Sequence, residues 1–593
     1  MPTNSSRSLA PEARAIVPSH LVELLRWRAQ EEGSRLGYTF LQKGGPPTKW
    51  TWAMLDAKAR ATAAALQAEG ARGERALIVV PQSLEYIAAF FGCLYANVIA
   101  VPTYPPISKG HLGRVQSIAA DSQARFLITT SRILQMIRAE AALAPQLLSL
   151  IPIVIDEVPD EQGALWSRPD ITPSTIAFLQ YTSGSTQAPK GVVVSHENIL
   201  YNERMIEAAF SHDESSVVVG WLPFFHDMGL IGNILQPLWM GVPSILMSPM
   251  SFIQRPLSWL AAISEFRGTT SGAPNFAYQM CVDAATDEEI ARLDLSSWKV
   301  AFNGAEPIHA ETLRRFTDRF KVCGFRKETF FPCYGMAETT LLASGGKASA
   351  PPVTCHVVAA DLERGYAVID SSAAPQLGPG RRALVGCGRA QLDEEIRIVD
   401  PTSLTECVAG RVGEIWVAGP NVTAGYFQRP EETRETFGAR IADSDEGPFL
   451  RTGDLGFLRA DGELFVVGRR KDLIIVRGRN HAPQDLELTV QTSHPSIRAT
   501  CVAAFSVTAE KSGERVVVVA EVRRQSLPSF DAALVERAVR RSVAVEHELE
   551  LFAVVFVGPA GVPKTTSGKL QRQACRQSYL AGNLPPLLEA PVQ

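Results

Sequence analysis

None of the nine cysteines in this chain of 593 residues stands in a CxxC or CxxH pair, and no internal repeat is visible. Structural zinc sites and disulfide frameworks draw on closely spaced cysteines, so neither is expected here. Basic charge is not in excess either: 58 Lys and Arg face 62 Asp and Glu, a net charge of −4. With an isoelectric point near 6.3 there is no cationic field for gripping phosphodiester backbones, and nucleic acid is not an expected partner. Long hydrophobic runs are missing as well. The longest, from Tyr86 to Val101, contains Asn97 and ends at Pro102. It falls short of the ~18 apolar residues that a spanning helix needs, and reads better as a buried helix followed by a strand. The opening stretch MPTNSSRSLAPEARAIVPSH lacks the apolar centre of a signal peptide. A cytoplasmic enzyme without stable membrane insertion is the expectation.

The composition, 46% apolar and 20% charged, is that of an ordinary globular protein, and the length calls for more than one domain. Runs rich in Val, Ile and Leu recur at 75–80, 125–130, 151–158, 176–180, 216–222, 244–247 and 299–302. They alternate with helical stretches such as 52–69, which has its stop signal in Gly70. Buried strands with crossover helices read this way, so the fold class is α/β. After about residue 405, glycine turns separate alternating strands, as in GRVGEIWVAGPNVTAGYF, which predicts a β-rich subdomain. Strand patterns at 499–507, 514–522 and 552–557 with a helix at 531–547 predict a compact α+β unit at the end. The expected division is therefore a large domain over 1–468 and a small one over 469–593. A Pro/Ala/Gly-rich stretch at 345–382 reads as a loose segment.

Six polar clusters lie where an open α/β sheet places its ligands, just beyond apolar strands. The first is YTSGSTQAPKG at 181–191, with two glycines, four hydroxyls besides Tyr181 and one lysine. Small residues let backbone N–H groups approach an anion, and a lysine adds charge. It is not a Walker A loop, because Lys190 is followed by Gly191 and the magnesium-binding hydroxyl is absent. The others are FNGAEP (302–307), CYGMAETT (333–340), RTGDL (451–455), GRRKDLI (468–474) and PKTTSGKLQR (563–572). Any one alone reads as a solvated turn or hairpin.

Together and in this order, from about residue 20 to 580, they resemble the adenylate-forming enzymes: acyl-CoA synthetases, luciferases, peptide-synthetase adenylation domains and fatty acyl-AMP ligases. In that family a large N-terminal domain and a mobile C-terminal domain enclose ATP and a carboxylic acid, which become acyl-adenylate and pyrophosphate. The resemblance implies that Thr182, Ser183, Gly184, Ser185, Thr186 and Lys190 hold the phosphates that leave. Gln187 stands where the family commonly has glycine. Lys569 would serve attacking carboxylate and α-phosphate together, as a cation that remains charged near neutral pH. Glu338 would hold Mg²⁺, a cation that favours hard oxygen ligands, with Thr339 near the α-phosphate. Tyr334, with Gly335 and Met336, would flank the adenine, and Asn303, Gly304, Ala305 and Glu306 would line its other side. Asp454 would accept from both ribose hydroxyls, Arg469 would add a contact, and Lys471 would sit at the hinge.

The branch most resembled is the fatty acyl-AMP ligases. WLPFFHDMGLIG (221–232) and SGAPNFAYQMC (271–281) are similar to their acyl-tunnel segments, which would place His226, Met228, Gly232, Ala273 and Phe276 against the acid. Neighbouring side chains diverge, so His226 and Asp227 are not expected to act as a dyad. The hinge continuation RGRNHAPQDLE and the insertion at 345–382 are similar to that branch, where the insertion packs on the small domain. The acceptor implied is an acyl carrier protein in trans, since no carrier motif follows Arg572. A fatty acyl-CoA synthetase is the alternative. A catalytically silent acyl-binding scaffold is disfavoured by the presence of Lys190, Glu338, Asp454 and Lys569.

Overall fold

The computed structural model describes residues 17–106, 109–181, 189–369, 380–476, 479–509, 513–565, 568–585 and 587. Two large sheets dominate it. One has six strands in the spatial order Ile151–Val154, Phe126–Thr129, Arg75–Val79, Ile99–Pro102, Ile176–Tyr181 and Gly191–Ser195. All its pairings are parallel except the last, which is antiparallel. The other has nine strands and is parallel through its middle, from Phe330–Tyr334 across Val300–Asn303, Thr270–Gly272, Val218–Gly220 and Ser244–Leu246 to Leu36–Phe40. Strands covered on both faces can be apolar throughout, which is why these segments read as unbroken runs.

Helices fill the space around the sheets. Trp52–Ala68 begins where the Thr51 side chain accepts from the Met54 N–H, and it stops before Gly70, at φ +67°. The apolar segment from Tyr86 divides as its interruption suggested, into helix Leu84–Tyr95 and strand Ile99–Pro102, with Asn97 at φ +52° between them. Behind the nine-stranded sheet, Trp259, Tyr278, Trp298 and Phe316 meet edge to face, with ring centroids 5.2–6.3 Å apart.

Four antiparallel strands, Glu395–Val399, Gly413–Ala418, Leu450–Leu458 and Leu464–Arg469, form the β-rich part. It starts earlier than the glycine pattern suggested, because EIRIV carries no turn residue to announce it. The C-terminal unit pairs Ile497–Ala509 antiparallel with Gly513–Val522, which runs parallel to Leu551–Val557. Val516 and Val518 face helices Pro483–Ser493 and Ala532–His547, while Val517 and Val519 face Cys575 of helix Arg572–Leu580. The period of two along the strand thus builds a core on each face. The molecule is a large N-terminal α/β domain with a smaller C-terminal domain.

Two sequence expectations need correction. The run at 151–158 is a strand only to Val154; Ile155–Glu157 turns as a 3₁₀ helix. The stretch 345–382 is not loose where it is described. Thr354–Val358 pairs antiparallel with Arg381–Val385, and helix Ala359–Glu363 follows the first of these strands. Tertiary packing, not local propensity, holds this segment: its hairpin sets Cys355 and Val357 on Phe457 and Phe465. No helix among the described residues is long and apolar enough to cross a membrane.

Candidate active site

Strand Phe330–Tyr334 carries Tyr334 to the mouth of a cleft of about 2060 Å³ between the large and small domains. The chain must turn sharply there, since a Cβ on Gly335 would lie 1.7 Å from the Leu341 carbonyl. A 3₁₀ turn, Ala337–Thr339, follows and presents Glu338. The Thr339 hydroxyl donates to the Met336 carbonyl (3.0 Å) and accepts from the Met336 N–H (3.2 Å), closing that turn. The neighbouring strand Val300–Asn303 ends in Gly304, where a Cβ would meet the Cys333 carbonyl at 2.9 Å, and in Ala305 at φ +67°. Both motifs therefore reach the cleft from adjacent parallel strands.

The four-stranded sheet supplies the opposite wall. Asp454 and Arg469 are direct cross-strand partners, with Arg469 Nε 2.9 Å from Asp454 Oδ1. Tyr334 donates its hydroxyl to Asp454 Oδ2 at 2.8 Å. Asp454 is buried, and its two oxygens are held in fixed directions by a phenol and a guanidinium. Glu338 accepts from the Tyr426 hydroxyl at 2.9 Å, and burial raises its carboxyl above the ordinary range despite that bond. Lys190 is ion-paired with Glu432, and its ammonium lies 5.1 Å from the centre of the Tyr426 ring.

The third wall begins with His226, which precedes helix Asp227–Leu230, a π turn at Ile231–Leu235 and helix Gln236–Met240. Gly232 lines the cleft, and a Cβ there would touch nothing within 4 Å. His226 and Asp227 do not bond to each other: His226 Nε2 has no hydrogen-bond partner, and Asp227 accepts from the Met228 N–H at 2.7 Å. Burial, aided by the charges of Lys569 and Arg114, pushes the His226 imidazole down to about 3, so it is neutral. Apolar side chains, among them Ile206, Phe210, Phe302 and Leu342, also line the cleft.

The small domain closes the cleft with a tight turn. Thr565 N–H donates to the Lys569 carbonyl (2.7 Å), Lys569 N–H donates to Thr565 Oγ1 (3.0 Å), and Gly568 stands at φ +87°. Phe276 lies beneath it, 3.0 Å from where a Gly568 Cβ would be. Arg572 grips both oxygens of Glu487 at 2.7 and 2.8 Å and reaches Asp472 at 3.2 Å, which ties the turn to the segment just past Arg469. Lys569 lines the cleft with Tyr334, Glu338 and Asp454. Burial lowers its ammonium below the usual lysine range, and Asp227, Glu306 and Asp454 oppose that shift.

Residues 25–427 match the model of the AMP-binding enzyme family, and residues 471–587 match the AMP domain of Disco-interacting protein 2-like proteins. A medium-chain-fatty-acid–[acyl-carrier-protein] ligase of Moorena producens is 44% identical over 571 residues, 95% of this chain and 96% of that one. A long-chain-fatty-acid–AMP ligase of Mycolicibacterium smegmatis is 36% identical over 599 residues, covering 94% of each. This chain belongs to the fatty acyl-AMP ligases. A solved fatty acyl-adenylate ligase from L. pneumophila, in complex with acyl adenylate and pyrophosphate, superposes on this ligase with a TM-score of 0.75 at 39% identity. That match covers 95% of this chain and 96% of the other.

Of the residues singled out in the sequence, the ligase brings Lys190, His226, Met228, Gly232, Gly304, Ala305, Glu306, Tyr334, Gly335, Met336, Glu338, Asp454, Arg469 and Lys569 to the one cleft. Asn303, Thr339, Ala273 and Phe276 are buried behind its walls instead. Thr339 shapes the Glu338 turn, and Phe276 supports the Lys569 turn. Thr182, Ser183, Gly184, Ser185 and Thr186 lie outside the described residues. Sequence reasoning missed Tyr426, Glu432, Phe210 and the Arg572–Glu487 clamp. Their partners are 88 residues away for Tyr426 and 85 for Arg572, and no local pattern marks such pairs.

Proposed function

We propose that this ligase joins a medium- to long-chain fatty acid to the AMP of ATP, with Mg²⁺, and passes the acyl group to a separate acyl carrier protein. The observation that carries the reading is the presence of Lys569, from the small domain, in the same cleft as Tyr334, Glu338, Asp454 and a set of apolar side chains. Asp454 receives the ribose hydroxyls, and Tyr334 lies against the adenine. Lys569 screens the carboxylate from the α-phosphate it attacks. That attack forms the acyl–phosphate bond while the bond to the β-phosphate breaks, and the electron pair leaves with pyrophosphate. Lys190 sits beside the phosphate-holding stretch, where exchange of its Glu432 partner for phosphate oxygens keeps its charge paired.

Glu338 fits a magnesium site. Its carboxylate is buried, accepts from the Tyr426 hydroxyl, and has its affinity for a proton raised by burial, a penalty that a cation relieves. Bound there, Mg²⁺ would neutralise phosphate charge. Glu338→Gln is expected to shift the magnesium dependence of adenylation to higher concentration, because an amide oxygen is a weaker ligand; an unchanged titration would remove Glu338 from this role.

The apolar lining argues for an aliphatic acid. Each further CH₂ buried contributes ~0.8 kcal/mol, so kcat/KM should rise several-fold per two carbons and then level off where the tunnel ends. Rates with acetate, octanoate, dodecanoate and hexadecanoate test this. Equal rates for acetate and dodecanoate would overturn the assignment of the apolar lining to the acid. The test of the whole function is formation of acyl-AMP and pyrophosphate from ATP and dodecanoate, followed by loading of a holo acyl carrier protein.

A further inference from the structure

The turn that presents Glu338 runs into a residue whose backbone its own side chain disfavours. Thr340 stands at φ +67° and ψ −61°, and across it the Leu341 N–H donates to the Thr339 carbonyl at 2.8 Å. This is a γ-turn of the rare, strained hand, and a β-branched residue is the least suited to it. Such strain persists only where the surroundings hold it, and it collects at functional sites.

What holds this turn comes from two distant segments. Asn202, on helix His196–Phe210, brackets Leu342: its Oδ1 accepts from the Leu342 N–H at 3.1 Å, and its Nδ2 donates to the Leu342 carbonyl at 2.9 Å. Asn421 Nδ2 donates to the same carbonyl at 3.2 Å and to Glu394 Oε1 at 2.8 Å. The Thr339 carbonyl, which closes the γ-turn, lies 3.5 and 3.4 Å from these two amide nitrogens. The backbone around Asn421 adds two bonds: the Thr340 hydroxyl donates to the Asn421 carbonyl at 2.7 Å, and the Thr423 N–H donates to the Glu338 carbonyl at 2.9 Å. Asn198, one turn before Asn202, ties that segment to the same helix by donating to the Pro420 carbonyl at 3.0 Å.

Asn202 and Asn421 are fully buried, and neither lines the cleft. Without them the Leu342 N–H and carbonyl would be left without these partners, and the turn would relax toward an unstrained one, carrying Glu338 with it. We infer that Asn202 and Asn421 are positioning residues for adenylation, which hold Thr340 in the γ-turn and so aim the Glu338 carboxylate into the cleft. The inference rests on the adenylation reading and on Glu338 as the magnesium ligand, and it adds what fixes that ligand in place.

Asn202→Ala is expected to lower kcat for acyl-AMP formation by at least about tenfold and to shift its magnesium dependence to higher concentration, since a small displacement of a catalytic group carries losses of that order. AMP affinity, measured by calorimetry without magnesium, should stay within about twofold. A merely structural role would weaken AMP binding and kcat together. Adding Thr340→Gly to Asn202→Ala should recover most of the kcat, because glycine adopts a positive φ without steric cost. Thr340→Val removes only the hydroxyl bond to the Asn421 carbonyl and should show the same split at a smaller size; it decides the matter if Asn202→Ala does not fold. Hydrogen exchange over 334–345 reads the turn with no substrate present, and Asn202→Ala should speed it by about tenfold. Unchanged exchange overturns the inference. So do an unchanged kcat and magnesium dependence in both variants, or an equal loss of AMP affinity. Absence of acyl-AMP from the unmodified protein would instead fail the adenylation reading, and exchange would still show whether the amides hold the turn.

Discussion

Replacing Lys569 with alanine is expected to slow acyl-adenylate formation by about 10²–10³ while leaving ATP binding largely intact, the effect of removing one charge-stabilising donor from a transition state. Adenine and ribose are assigned to Tyr334, Asp454 and Arg469, which lie on strands Phe330–Tyr334, Leu450–Leu458 and Leu464–Arg469 and do not depend on the lysine. Lys569 arrives on a separate turn, braced by Phe276 below and by Arg572 behind. Its removal should therefore take away charge without loosening the nucleotide site. Single-turnover measurement of acyl-AMP decides the matter, and an unchanged rate would exclude Lys569 from the chemistry. A pH profile adds an independent reading. The cation is lost as pH rises through the folded-state pKa, and burial lowers that value, so adenylation should decline at a pH below the ~10.4 of a free lysine. Lys569→Ala should erase that limb of the profile.

The second large effect concerns the acceptor. The hairpin of 354–358 and 381–385 grips the small domain through a buried polar knot. Arg382 is ion-paired with Asp485, its Nη2 lies 3.3 Å from Glu363, and the same nitrogen donates to His547 Nδ1 at 3.2 Å. Glu363 also accepts from Arg479 Nε at 2.8 Å. Burial would raise the Glu363 carboxyl, but His481 and the two guanidiniums hold it below the usual range, so it is anionic. Burial, aided by Arg382, pushes His547 down to about 3, so it is neutral and can accept from that arginine. Any rotation of the small domain must break these bonds and leave buried charges unpaired, which is costly.

With the knot intact, acyl-CoA formation is expected to be near nothing and a holo carrier protein to consume the adenylate. Deleting 345–382 is a poor test, because Thr354–Val358 is half of a ladder whose partner strand would be stranded. Glu363→Gln with Arg382→Met is the better variant, and it should raise CoA turnover by at least about tenfold with adenylation retained. Efficient CoA use by the unmodified ligase would refute the brace, and so would a double variant that still ignores CoA.

Much of this was legible from residue order alone. Strands buried on both faces announce themselves as apolar runs, and glycines that must turn, such as Gly335 and Gly568, announce where a chain reverses beside a ligand. The six polar clusters followed from the family's chemistry, since a phosphate, a diol and a metal each demand particular residue types. Burial of Thr339 and Phe276 was not legible, because a motif names a residue without saying which way its side chain turns.

By itself, then, the sequence determined the α/β class, the succession of a large and a small domain and most of the residues that meet in the cleft, because these depend on local periodicity and on chemistry carried within short segments. The tertiary structure alone decided the pairings Tyr426–Glu338, Lys190–Glu432 and Arg572–Glu487, the knot at Arg382 and the meeting of Lys569 with Asp454 across the cleft. Electrostatic and packing energies depend on distances between segments hundreds of residues apart, and those distances exist only once the chain has folded.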